Sequence, residues 1–281
     1  MESQKKHART FSFEFFPPKT TEGKERLRAA WKQLGQLKPR FFSCTFGAGG
    51  STREGTLETV LEIRTAGFEA APHLSCITSS RADLKAQIEK YKSHGIRHVV
   101  ALRGDLPSGI AAAGELRYAN ELVAFIRESS GDWFRIEVAC YPEYHPQTRY
   151  ADDELRNFKR KVDAGADSAI TQYFYNAEAY FRFVDAARRA GIQVPIVPGI
   201  MPIVNFSQLA RFSDACGAEI PRWMRIKLEG YRDDAASIRA FGLDVVTGLC
   251  RTLLDGGAPG LHFYTLNQAA LSVEIWRRLG L

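Results

Sequence analysis

The chain has 281 residues, 45% of them hydrophobic and 25% charged, and 38 Lys and Arg against 32 Asp and Glu leave a formal charge of +6. This composition excludes a disordered or fibrous chain, and the longest apolar stretches, such as Ile192 to Val204, are broken by Pro and Gly and fall short of the ~18–20 residues of a membrane span. Cys44, Cys76, Cys140, Cys216 and Cys250 are odd in number and include no C-x-x-C, which argues against a disulfide framework or a zinc site. Residues 1–10 are polar with no apolar region behind them, so no secretory signal is expected and the protein reads as cytoplasmic. The basic residues are scattered without any nucleic-acid-binding pattern, and small anionic ligands suit the charge as well.

Runs rich in β-branched, aromatic and apolar residues predict strands over Ser12–Phe16, Phe41–Phe46, Glu69–Cys76, His98–Arg103, Arg135–Tyr141, Ser168–Phe174, Pro195–Ile200 and Leu261–Leu266. Between them, helical spacing covers Glu22–Leu37, Glu54–Ala66, Arg81–His94, Leu116–Glu128, Asp152–Ala164, Ala177–Ala190, Phe206–Ala215 and Ser237–Leu254. Ser51-x-x-Glu54 and Ser80-x-x-Asp83 read as helix starts, and Gly67, Gly95, Gly165 and Gly191 as helix ends.

The first four strands begin at residues 12, 41, 69 and 98, a spacing that fits one β-loop-α-loop unit. Eight such units make a (β/α)8 TIM barrel, for which about 250 residues is typical, here a single domain over residues 1–281. The long interval after Ile200 calls for an insertion around Pro221–Asp234. A doubly wound sheet is the alternative, because Gly47-Ala48-Gly49-Gly50-Ser51-Thr52 lies between a strand and a helix, although Thr52 stands where the third glycine of a dinucleotide turn belongs.

In a barrel, function sits at the carboxyl ends of the strands, where Glu14, Thr45, His73, Arg103-Gly104-Asp105, Tyr141, His145 and Gln172 fall. Glu14 lies among Phe11, Phe13, Phe15 and Phe16. Apolar surroundings would raise its pKa and suit it as a general acid, unless it is simply a paired buried carboxylate. His73 alone reads as an interior histidine, and Lys159-Arg160-Lys161 as a solvated helix end. No G-x-S-x-G or H-E-x-x-H is present, so neither nucleophilic hydrolysis nor a metal is expected.

Ser12-Phe-Glu-Phe-Phe-Pro-Pro18, Thr45-Phe-Gly-Ala-Gly-Gly-Ser-Thr-Arg53, Ala71-Pro-His-Leu74, Ala101-Leu-Arg-Gly-Asp105, Tyr141-Pro-Glu-Tyr-His145, Lys159-Arg-Lys-Val-Asp-Ala-Gly-Ala166, Ile170-Thr-Gln172, Pro198-Gly-Ile200 and His262-Phe-Tyr-Thr-Leu-Asn267 together strongly resemble the 5,10-methylenetetrahydrofolate reductases, in order and over nearly the whole chain. The resemblance implies a barrel with non-covalent FAD, NADH or NADPH as electron donor, and ping-pong reduction of 5,10-methylenetetrahydrofolate to 5-methyltetrahydrofolate for methionine synthesis. It further implies a homo-oligomer of the short bacterial type, without a regulatory domain or feedback by S-adenosylmethionine.

By motif, the resemblance makes Glu14 the acid that assists opening of the folate ring at N10. Asp105 would lie between flavin and pterin. FAD would contact Thr45, Phe46, Ala48, His73, Arg103, Gly104, Asp105, Tyr118, Ala119, Tyr141, His145, Asn157, Arg160 and Lys161. The substrate would contact Glu14, Asp105, Gln172, Gln208, Phe212 and Gln268. Two positions depart from the family pattern: Phe46 stands where Tyr is common, and Gln268 where an Arg contacts the folate glutamate tail. These departures leave room for a related flavin barrel acting on another substrate such as proline; a non-catalytic folate- or flavin-binding subunit is the third reading.

Overall fold

The computed structural model describes residues 1–46, 52–105 and 114–281. A short helix α1 (Glu2–Lys5) precedes β1 (Thr10–Phe15), α2 (Thr21–Gly35), β2 (Phe41–Cys44), α3 (Arg53–Thr65), β3 (Ala70–Ser75), α4 (Arg81–Ser93) and β4 (His98–Leu102). There follow α5 (Ala119–Ser130), β5 (Arg135–Cys140), α6 (Ala151–Asp163), β6 (Ser168–Thr171), α7 (Ala177–Arg189), β7 (Ile196–Val197) and β8 (Gly199–Ile200). The chain ends with α8 (Phe206–Cys216), α9 (Arg222–Gly230), α10 (Ala235–Asp255), β9 (Gly260–Tyr264) and α11 (Ala270–Leu279).

Every strand pair is parallel, and the order is β7-β6-β5-β4-β3-β2-β1-β9-β8. β7 and β8 are halves of one extended segment interrupted at Pro198, which has no N–H to give to a ladder. One half pairs with β6 and the other with β9, so the sheet closes on itself. This is the expected (β/α)8 barrel with its seventh strand split. The doubly wound alternative fails because that order reverses partway across an open sheet.

Local chemistry explains the helix boundaries. Thr20, Ser80, Asn176, Asn205 and Asp234 each accept a backbone N–H at a helix start. Ser80 and Asp83 form the expected reciprocal capping box. For α3 the cap is Thr52, accepting from Gly55 N at 3.1 Å. The expected Ser51 lies outside the described residues. Gly67, Gly95, Gly165 and Gly191 take φ of 91°, 67°, 110° and 81°, the left-handed region that closes a helix without a Cβ clash. The insertion expected near Pro221–Asp234 is α9, while α1 and α11 lie outside the elements predicted from sequence.

Helix α1 closes the amino-terminal end of the barrel. Gln4, 1% exposed, donates to Val194 O at 3.3 Å and accepts from Ile196 N at 2.8 Å. Gln4→Ala leaves that buried N–H unpaired and is expected to cost ~1–3 kcal/mol, read as a lower denaturation midpoint with an unchanged slope.

Strand alternation divides the barrel into an outer apolar shell and a largely polar interior. On β1 the outward Phe13 is fully buried against Phe263 and Phe42, with centroids 5.4 and 6.1 Å away, a burial worth ~1.5–3 kcal/mol for such a side chain. Inside the barrel, Phe41, Ala71, Val100 and Ile170 form a small apolar layer. Below it, Glu137 Oε1 accepts from His98 Nε2 at 3.0 Å and Arg135 Nε at 3.2 Å. Above it lies a second polar layer containing Glu14.

Candidate active site

Glu14 is the fifth residue of β1, and the strand period places it inward, level with Ser43 of β2 and Tyr264 of β9. Its Oε2 accepts from Ser43 Oγ and faces His262 Nε2, each at 3.4 Å. His73 Nε2 lies 3.2 Å from the same oxygen without hydrogen-bond geometry. His262 is fully buried, and its Nδ1 lies 2.7 Å from Ser12 Oγ. The strand end is pinned from β9: Thr265 Oγ1 donates to Glu14 O at 2.6 Å, and the Asn267 amide brackets Phe16 N and O at 3.0 and 2.9 Å.

These neighbours overturn the expected rise in the pKa of Glu14. Burial pushes it up, but attraction to His73 and the hydrogen bond from His262 more than offset this and hold it at about 2. Phe13 and Phe15 flank Glu14 in sequence, yet a period of two turns them to the other face of the sheet. What surrounds the carboxyl is imidazole and hydroxyl.

A second cluster follows β4 and β5. Arg103 donates to Gln147 Oε1 at 2.6 Å, and Gly104, at φ +86°, makes the turn that leaves Asp105 exposed. The rings of Tyr141 and His145 meet edge to face at 4.8 Å. Lys161 Nζ lies 5.6 Å from the Tyr141 ring centroid and donates to Ala139 O at 2.6 Å. Burial, then Arg103 and Lys161, lower the pKa of His145, and burial lowers that of Lys161. An incoming anion would relieve both.

The structure therefore gathers Glu14 and His73 in one group and Arg103, Gly104, Asp105, Tyr141, His145 and Lys161 in a second. Thr45 follows directly on β2, with a buried Oγ1 that has no hydrogen-bond partner. Phe46 lies under the Arg53 guanidinium, 5.7 Å from its ring centroid. Gln172 shares a crevice with Tyr141, Tyr173 and Cys216. Gln208 and Phe212 lie four apart on α8, which Tyr173 ties to β6 through Ser213 at 3.0 Å. Tyr118 and Ala119 start α5, with Tyr118 exposed. Asn157 and Arg160 bond to each other at 3.2 Å on α6. Gln268 is exposed in the turn after β9, and Ala48 lies outside the described residues.

Sequence reasoning does not single out Ser12, Ser43, His262 or Tyr264. Their signal is available in part: residues two apart on β1 and β9 share a face, so Ser12 accompanies Glu14, and His262 accompanies Tyr264. Gly199 belongs to the same wall. Its N–H bonds to Thr171 Oγ1 at 2.9 Å, and Tyr264 O–H donates to Thr171 O at 2.8 Å. A Cβ at residue 199 would overlap Thr171 O and stand 2.6 Å from the Tyr264 ring. Gly199→Ala is expected to cost ~1–3 kcal/mol by overpacking, measurable by chemical denaturation.

Among the described residues, no helix is long and apolar enough to cross a membrane, and no group of three His, Cys, Asp or Glu could hold a metal. Fold and site together define a (β/α)8 barrel with an acid–base cluster at its carboxyl-terminal mouth. Residues 1–280 match the family profile described as methylenetetrahydrofolate reductase. The chain is 44% identical to the 5,10-methylenetetrahydrofolate reductases of Salmonella typhimurium and Escherichia coli over 270 residues, 96% of this chain and 90% of each relative. It is 39% identical to Arabidopsis thaliana methylenetetrahydrofolate reductase (NADH) 1, covering 96% of this chain and 48% of that protein. A Clostridium thermocellum protein described as binding two copies of 5-methyl-5,6,7,8-tetrahydrofolic acid shares the fold, with a TM-score of 0.66, 14% identity, and coverage of 98% of this chain and 95% of that one. The chain belongs to the methylenetetrahydrofolate reductase family and is an oxidoreductase of that type.

Proposed function

We propose that residues 1–281 act as one catalytic unit that reduces 5,10-methylenetetrahydrofolate to 5-methyltetrahydrofolate for methionine synthesis, with electrons from NADH or NADPH carried by FAD in two half-reactions at one site. The observation that carries this reading is Glu14, a carboxyl fixed inside the mouth by β9 and faced by two imidazoles. Within a family whose substrate must gain a proton as well as a hydride, this is the group placed to supply the proton.

The donor set fits a flavin dinucleotide. Thr45 Oγ1 and His73 Nε2 are buried without a hydrogen-bond partner, and Arg103 and Lys161, with the His145 ring beside them, suit its diphosphate. Those residues, with Phe46, Ala48, Gly104, Asp105, Tyr118, Ala119, Tyr141, Asn157 and Arg160, would hold it. When bound, the flavin supplies hydride transfer between nicotinamide and folate. Asp105 orients the pterin, and Gln172, Gln208, Phe212 and Gln268 line the substrate path. Glu14 gives its proton to N10 as the ring opens. Position and proton supply are the protein's contribution.

The test is an anaerobic visible spectrum of purified protein to which NADH or NADPH is added in separate samples, followed by methylenetetrahydrofolate. Flavin absorbance is expected to bleach with a nucleotide and return with the folate. Bleaching without return, or no flavin after adding FAD, would overturn the reading.

A further inference from the structure

Glu14 is held ionised by its neighbours, whereas an acid must arrive protonated. Among the described residues, the titratable groups facing it are His73 from β3, and His262 and Tyr264 from β9. Tyr264 already donates to Thr171 O, and burial pushes its pKa up, so it stays neutral. His73 has no formed bond at Nε2 and lies among the groups assigned to the cofactor. His262 is different: it is fully buried, hydrogen-bonded at one nitrogen to Ser12 and at the other to Glu14. The Phe41 ring, 6.2 Å from His262 and 4.2 Å from His98, separates it from the His98–Glu137 pair below. The strand on its other side brings only Gly199 and Ile200.

We infer that His262, seated on Ser12, is the proton store for Glu14: a positioning residue that acts through the carboxyl and never touches the substrate. This deepens the proposed reaction and rests on Glu14 being its acid. In the loaded state His262 is an imidazolium, giving Nδ1–H to Ser12 Oγ and Nε2–H to Glu14 Oε2. The Nε2 proton passes to Oε2, leaving a neutral imidazole that keeps its Nδ1 proton and a neutral carboxylic acid. As the carbon–N10 bond breaks, its electron pair remains on nitrogen and takes the carboxyl proton. Solvent reloads the pair through Glu14, whose side chain is 17% exposed whereas that of His262 is fully buried. Ser12 suits this cycle because a hydroxyl can either accept from Nδ1–H or donate to bare Nδ1, so its bond survives either neutral tautomer as well as the cation.

The device matters because an isolated carboxylic acid loses its proton well below neutrality, whereas a carboxylate coupled to an imidazole shares one that persists closer to pH 7. Its activity then depends on the pair.

The test uses the flavin-loaded protein and, separately, the protein without flavin. His262→Gln keeps an amide N–H near the Nε2 position but has no proton to release. It is expected to slow the folate half-reaction roughly tenfold at neutral pH, a share of the ~10²–10⁴ that a positioned acid contributes, and to leave the nicotinamide half-reaction unchanged. Its rate should recover as pH is lowered, because Glu14 alone must now be protonated. Ser12→Ala should show the same shift in smaller degree, and serves if His262→Gln does not fold. Nitrogen-15 NMR of histidine in flavin-free protein at one fixed pH should show the His262 Nε2 signal displaced in Glu14→Gln and the Nδ1 signal displaced in Ser12→Ala, because each variant changes the partner of that nitrogen. An unchanged pH profile in His262→Gln and Ser12→Ala, or an unmoved His262 Nε2 signal in Glu14→Gln, overturns the inference. If Glu14→Gln itself reduces folate normally, the assignment of Glu14 as the acid is what fails.

Discussion

Glu14→Gln is expected to lower folate reduction by ~10²–10⁴-fold, the contribution of a positioned proton donor, while NADH or NADPH oxidation keeps its rate. The substitution holds volume nearly constant, and the amide can still meet Ser43 Oγ and His262 Nε2, both 3.4 Å from Oε2 in the parent. What it removes is the proton delivered to N10. Hydride removal from a nicotinamide needs no such acid, so the two half-reactions should part company. Anaerobic stopped-flow measurement of each half-reaction checks this: equal losses in both would mean that Glu14 shapes the site rather than catalysing, and no loss in either would remove it from the chemistry. The thermal midpoint should fall, because a carboxyl held at about 2 by His73 and His262 contributes stability at neutral pH that the amide does not supply.

The largest stability effect is expected below the apolar layer, at His98→Ala. Glu137 is 2% exposed, accepts from His98 at 3.0 Å and from Arg135 at 3.2 Å, and has a second oxygen with no partner. Removing the imidazole leaves a poorly compensated buried carboxylate, at a cost of ~3–5 kcal/mol. Burial raises the pKa of Glu137, but the His98 hydrogen bond and charge, followed by Arg135, hold it at about 2. A folded pKa below the unfolded one contributes stability above the unfolded value and loses it as pH falls. The parent should therefore lose this contribution between pH ~4.5 and ~2. His98→Ala should be less stable at neutral pH and lose less on acidification through that window. Urea unfolding at several pH values measures both; a cost below ~1 kcal/mol at neutral pH would show that Glu137 is solvated or protonated once its partner is gone.

The proposed roles of Phe46 and Gln268 leave marks of their own. Phe46 lies under Arg53, which gives that ring a cation to pack on where a hydroxyl is absent. Gln268 is exposed, and its backbone N–H donates to Thr265 O at 2.9 Å. Gln268→Arg is expected to tighten folate binding by ~1.5–3 kcal/mol, the worth of a charge-assisted contact to the glutamate tail, seen as a lower KM with kcat unchanged.

Period and spacing alone determined the eight β/α units, most helix boundaries and the position of Glu14 at a strand end, because these depend on neighbours a few residues apart. The ordered motifs indicated the family. Strand register and barrel closure decided the rest. Closure sets β9 beside β1, which brings His262 to Ser12 and Glu14 across about 250 residues of chain, a distance at which no local pattern operates. The same closure turned the expected acid in an apolar pocket into a carboxylate between imidazoles: the phenylalanines beside Glu14 in sequence face the helices, and its partners in space come from β2, β3 and β9. A pKa follows from the charges and dipoles within a few ångströms, and only the tertiary structure specifies those.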